Sequence, residues 1–113
     1  MSEFDHEFLD VYRAALALDE VVVGIARSAP RGHAWIGDQA MRASGSTCLN
    51  LSEGVGRTGA DRIRCWRIAY GSTLEVDTAL TLLFQRGACG AEERARAREL
   101  NVRVAKMLKR MTR

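Results

Sequence analysis

Four stretches of apolar residues recur at three- and four-residue spacing in this chain, each ended by a short break, and that pattern admits little except packed helices. In the first, residues 4–28, Phe4, Phe8, Val11, Ala15, Leu18, Val22 and Ile25 form one row. A second row, Leu9, Tyr12, Leu16, Val23 and Ala26, runs beside it and leaves Asp10, Arg13, Glu20 and Arg27 as a narrow polar face. So wide an apolar arc exceeds what one small bundle core requires, and part of it is expected to meet another subunit. Pro30-Arg31-Gly32 breaks the chain.

The second stretch, 34–53, sets Ile36, Ala40, Ala43, Thr47 and Leu51 on one face. Its small residues Ala43 to Ser46 allow close helix approach, and Gly54 is predicted to end it as the C′ glycine. Thr58 and Asp61 then have the spacing of a capping box for the third stretch, 59–86. There Trp66, Ala69, Thr73, Val76, Leu80 and Leu83 make one row, and Cys65, Ile68, Ser72, Glu75, Ala79 and Leu82 the next. The fourth, 91–112, opens on Glu92 and Glu93 and closes on Lys109, Arg110 and Arg113, each sign suiting its end of the helix dipole. Its apolar row reads Ala97, Leu100, Val104, Met107, Leu108 and Met111. Connections of about 4–6 residues make neighbours antiparallel. The predicted fold is all-α, a single up-down-up-down antiparallel four-helix bundle occupying residues 1–113 as one domain.

With 113 residues such a chain buries roughly two-thirds of its unfolded surface, enough for a core without staples. No apolar run approaches the ~20 residues of a membrane span, so no membrane partner is expected. The acidic opening Met1-Ser2-Glu3-Phe4-Asp5 is unlike a secretory or mitochondrial signal. Cys48, Cys65 and Cys89 are odd in number and lack CxxC spacing, which points to a reducing, cytoplasmic setting.

Charge is polarised along the chain. Residues 1–20 carry six acids against Arg13, a balance of −5, whereas residues 94–113 carry eight bases against Glu99, a balance of +7. A third patch, 57–67, sets Arg57, Arg62, Arg64 and Arg67 against Asp61. On the last helix Arg96, Glu99, Arg103, Lys106, Arg110 and Arg113 make a stripe that is nearly all cationic. Either the opposite ends of the chain lie side by side, or the basic end meets an external polyanion.

Asn50, Ser72 and Glu75 fall on or beside apolar rows. If the turn between the second and third helices centres near 57–58, facing residues sum to about 115 by antiparallel pairing. Glu75 then meets Gln39 and Arg42, Glu53 meets Arg62 and Arg57, and Asn50 meets Cys65; a carboxylate taken into a seam needs such partners. No chemistry emerges. A di-metal bundle requires a Glu-x-x-His from each of two helices, whereas the spacing occurs once, at Glu3 and His6, and His6 and His33 flank the helices rather than fill the core. Cys48 and Cys65 lie mid-helix, where a thiol is ordinarily an inert small hydrophobe. No enzyme, cofactor or metal is expected.

The run Ala43-Ser44-Gly45-Ser46-Thr47-Cys48-Leu49-Asn50-Leu51-Ser52-Glu53-Gly54-Val55-Gly56-Arg57 resembles a signature of a bacterial helical family: small residues, then Asn-Ile-Ala-Glu-Gly, a glycine-bearing turn and Arg. Ala69-Tyr70-Gly71-Ser72-Thr73-Leu74-Glu75 resembles its second block, Ala-x-Gly-Ser-x-x-Glu, and Gln39 and Phe8-Leu9-Asp10-Val11-Tyr12 also fit. The family comprises proteins encoded in intervening sequences of large-subunit ribosomal RNA genes and is similar to the accessory variability proteins of diversity-generating retroelements. Leu51 and Ser52 depart from its usual Ile and Ala, as packing swaps. The resemblance implies a four-helix bundle assembled as a homopentamer and, from the retroelement relatives, a basic surface that binds nucleic acid and a reverse transcriptase. It also marks Gln39, Asn50, Glu53, Gly54, Gly71, Ser72 and Glu75 as motif positions, read here as structural. The expected nucleic-acid contacts are Arg57, Arg62, Arg64, Arg67, Arg96, Arg103, Lys106, Lys109, Arg110 and Arg113. The alternative is a protein-interaction module whose charge serves subunit assembly alone.

Overall fold

Each predicted stretch is a helix in the computed structural model, which describes residues 6–113. These are α1 (His6–Ser28), α2 (Ala34–Val55), α3 (Gly59–Gln85) and α4 (Ala91–Met111), with one 3₁₀ turn at Arg31–His33 after α1. Phe4, predicted to open the first row, lies outside the described residues. Short links make successive helices antiparallel, and α1 closes the ring of neighbours by packing on both α2 and α4, while α3 packs on α2 and α4. The result is the up-down-up-down four-helix bundle. Among the described residues there is no strand, and no helix is long and apolar enough to cross a membrane.

Two apolar layers fill the interior. Toward one end Leu18, Val22, Ile25, Ile36, Ala40, Val76, Leu80, Leu83 and Ala97 interlock. Toward the other, Phe8, Val11, Ala15, Leu51, Trp66, Ala69, Val104, Met107 and Leu108 do so. Fully burying one such large side chain contributes about 1.5–3 kcal/mol. Between the layers lies a polar belt. Ser44 Oγ donates to Asp19 Oδ1 at 2.6 Å, joining α1 to α2, and Thr47 Oγ1 donates to the Ala43 carbonyl at 3.0 Å. Asn101 Nδ2 donates to the Thr73 carbonyl at 2.8 Å, joining α4 to α3, while its buried Oδ1 finds no partner among the described residues. The α4 row therefore adds Asn101 to Ala97, Val104, Met107 and Leu108, with Leu100 half-buried against the first layer.

Helix ends follow local chemistry. Gly87, at φ +71°, ends α3 in a Schellman turn: Ala88 N–H donates to the Leu83 carbonyl at 2.8 Å and Gly87 N–H to Phe84 at 3.0 Å. At the N-cap of α3, Thr58 is extended but its side chain makes no capping hydrogen bond, so the predicted capping box is not formed. Gly54 does not end α2 either; the helix continues to Val55 and Gly56 is its C-cap. What requires glycine at 54 is Trp66, since a Cβ there would run into the indole Nε1 and Cδ1. The indole edge packs against that bare backbone and donates from Nε1 to the Leu51 carbonyl at 3.2 Å.

Asn50, Gly54 and Ser72 are the motif positions that serve the α2–α3 seam. Asn50 Nδ2 donates to the Ser46 carbonyl at 3.0 Å and to its Oγ at 3.2 Å, and Ser72 Oγ bonds Ser46 Oγ at 3.0 Å across the helices. Asn50 is thus held by its own helix, not by Cys65. Facing residues sum to about 117–118 (Leu51 with Trp66, Ser46 with Ser72). That offset is two to three residues beyond the predicted register. Glu75 and Gln39 are both exposed, and no hydrogen bond or ion pair joins Glu75 to Gln39 or Arg42 among the described residues. The predicted Glu75 pairing is therefore corrected. Glu53 does reach Arg57, at 2.6 Å, but not Arg62. Burial, with Asp19 adding to it, pushes the Cys48 thiol pKa from 9.0 up to about 11, which disfavours the reactive thiolate.

Candidate nucleic-acid interface

Burying Ala97, Asn101, Val104, Met107 and Leu108 turns the opposite side of α4 to solvent, and Arg96, Arg103, Lys106, Lys109, Arg110 and Arg113 are all exposed there. Because α4 runs antiparallel to α3, its last turns lie beside the first turns of α3. The contact is seen directly: Lys109 Nζ sits 5.8 Å from the Tyr70 ring centroid, and Arg67 Nη2 donates to the Thr112 carbonyl at 3.5 Å. Arg64 and Arg67, both exposed, thereby join Lys106, Lys109, Arg110 and Arg113 at one end of the bundle. Six cations meet there.

Among the described residues few carboxylates neutralise these cations. Among the described residues the ion pairs are Arg57 with Glu53 at 2.6 Å and Arg98 with Asp77 at 3.8 Å, and neither involves those six. Arginine dominates the set, and its planar guanidinium suits bidentate contact with phosphate oxygens. The remaining predicted cations are placed apart. Arg96 and Arg103 continue the stripe up α4, about 25 Å separating Arg96 from Arg113 at 1.5 Å per residue. Arg103 borders a shallow α1–α4 groove with Asp10, Arg13 and Leu100. Arg57 stands at the basic end but is held by Glu53, whose hydrogen bond raises the guanidinium pKa above its ordinary value.

Arg62 serves the fold. Its Nε donates to the Gly54 carbonyl at 2.9 Å and its Nη2 to Val55 at 3.0 Å, capping the last turn of α2. Its guanidinium carbon also lies 5.6 Å from the Trp66 ring centroid. Arg62→Ala is expected to cost about 1–3 kcal/mol of stability, from two lost bonds to carbonyls, while leaving RNA retention at low salt unchanged. A denaturant melt and a filter-retention assay check the two halves separately.

Trp66 is buried, so it offers no base a stacking face. Tyr70 is the residue that sequence reasoning missed: half-buried beneath Lys109 and one turn from Arg67, it supports the cationic end from below. Its spacing from Arg67 was the available signal. Among the described residues no group of three or more His, Cys, Asp or Glu side chains comes together to hold a metal.

A comparison with curated proteins finds no match. The family model described as the 23S rRNA-intervening sequence protein matches residues 7–110, from the first turn of α1 to the last of α4, and the chain belongs to that family.

Proposed function

We propose that this protein is a non-enzymatic, homo-oligomeric nucleic-acid-binding bundle that grips the phosphate backbone of RNA or an RNA–DNA hybrid. The observation that carries the reading is the end formed by Arg64, Arg67, Lys106, Lys109, Arg110 and Arg113, exposed and without carboxylate partners among the described residues. A family named for sequences within 23S rRNA supplies a fitting context. Pentameric stoichiometry and a reverse-transcriptase partner are what the resemblance to the variability proteins adds. Five copies would multiply a net charge of +3 to about +15, drawing polyanions over several ångströms and concentrating them at the surface. Trp66 is buried and Lys109 lies over the half-buried Tyr70 face, so binding is backbone-directed and indifferent to sequence.

Reversing Arg103, Lys106 and Arg110 together to glutamate tests this. Retention of RNA at low salt should be abolished while the melting profile stays that of a folded bundle. Unchanged retention rejects the reading. A second reading uses the charge only for contacts between subunits, and the place of Arg103 beside Asp10 in the α1–α4 groove favours it. Under that reading, raising salt dissociates the oligomer and nucleic acid never binds.

A further inference from the structure

Among the first twenty residues Arg13 is the one Lys or Arg against six acids, and α1 sets it at the seam with α4. That seam is not filled. Ala14 and Ala17 on α1 are short, and Leu100 opposite them is half-buried, so a shallow groove of about 280 Å³ runs between the two helices. Asp10 and Arg13 border it from α1 and Arg103 from α4, all three exposed. Its floor of alanine and leucine lowers the local dielectric, which strengthens an ionic contact made on it.

Two guanidiniums and one carboxylate border this groove, and neither arginine is paired with Asp10: among the described residues the ion pairs are made by Glu53 and Asp77. The surplus is one positive charge. Like charges kept at one groove repel each other unless an anion sits between them. The planar fork of arginine matches the two free oxygens of a phosphodiester, so arginines from two helices suit one phosphate between them. The groove is also continuous with the basic end. Arg103 lies seven residues from Arg110, about 10 Å along α4, and exposed Lys106 stands between them. That is about one Debye length at roughly 0.1 M salt, so a polyanion held at the end feels the charge of the groove. A small free anion gains nothing from this continuity, whereas a chain of phosphates does.

We infer that the α1–α4 groove is a phosphate subsite of the nucleic-acid surface, in which Arg13 and Arg103 hold one backbone phosphate between the two helices. The inference rests on the nucleic-acid reading proposed above and deepens it. The footprint turns from the α3–α4 end onto the α1 side of the bundle, and Arg13, which charge counting leaves within an acidic segment, joins the contacts. Asp10, the one negative charge in the subsite, opposes binding.

Retention of duplex RNA across a salt series, with mass by light scattering on the same samples, tests this on the full chain. Asp10, Arg13 and Arg27 are exposed, so a substitution at each should leave a cooperative melt. Arg13→Gln should weaken binding at low salt about tenfold and reduce the slope of log affinity against log salt by about one. Arg27→Gln removes the same charge from the same helix about 21 Å away and should leave the slope unchanged. Asp10→Asn should bind up to about fivefold tighter. Arg13→Gln that binds like wild type, or an equal loss in Arg27→Gln, overturns the inference and leaves binding at the basic end standing. Asp10→Asn that weakens binding does the same. A wild type that retains no RNA overturns the nucleic-acid reading as well. A fall in mass in Arg13→Gln or Asp10→Asn would assign these charges to contacts between protein chains, and that too overturns the inference.

Discussion

Asn101→Asp is expected to destabilise the protein by about 3–5 kcal/mol near neutral pH and far less in mild acid. Asn101 is buried in the polar belt, where its amide donates to the Thr73 carbonyl. An aspartate there cannot donate when ionised, so two acceptors would face each other in the core. Leaving a buried charge uncompensated costs about 3–5 kcal/mol. Domains of this size have about 5–15 kcal/mol in total. The sign follows from which form the fold tolerates. Burial raises the folded carboxyl pKa above its unfolded value of about 3.9. Below that value the neutral acid donates to Thr73 and stability is intact; as pH rises above it, stability falls until the folded pKa is passed. Thermal melts of the variant between about pH 4 and pH 8 should show this decline, and a flat profile would place residue 101 outside the core.

The second large effect is at Gly54. Gly54→Ala should destabilise although alanine is the better helix former, by up to about 1 kcal/mol at an ordinary helical position. Its methyl group occupies the place of the Trp66 indole edge, so the ring must leave its hydrogen bond to Leu51 and its place among Leu51, Ala69 and Met107. Overpacking of this kind costs about 1–3 kcal/mol. Trp66→Phe in the same background frees the space once filled by the larger ring and should recover part of the loss. Urea denaturation of the two single variants and the double variant measures that coupling; simple additivity would show that the glycine and the tryptophan do not touch.

How far the sequence reveals this molecule differs from element to element. The α1 row is legible residue by residue, because apolar positions at three- and four-residue spacing have one helical solution and all six described members, Phe8 to Ile25, are buried. On α4 the apolar spacing does not point to the buried amide at 101, since only the partner helix reveals that the Thr73 carbonyl receives it. Gly54 was assigned by its position near a helix end, whereas its role depends on a side chain twelve residues later. Glu75 shares the outer α2–α3 depression with Gln39 yet bonds neither it nor Arg42 among the described residues, and periodicity within either helix does not reveal whether two polar side chains on one face join. For the basic end, charge counting identifies which cations are abundant but not which are occupied. Arg62 is taken by the carbonyls of Gly54 and Val55 and Arg57 by Glu53, and both bonds depend on how the α2–α3 turn closes.

The central claim is that the cations at the α3–α4 end are available to a polyanion, and a salt titration of binding tests it most directly. Affinity of the full chain for duplex RNA should fall linearly in log–log form, about 10³-fold between roughly 50 and 200 mM salt if six phosphates are neutralised. No binding at the lower salt, or an affinity that does not change across the range, would contradict the account.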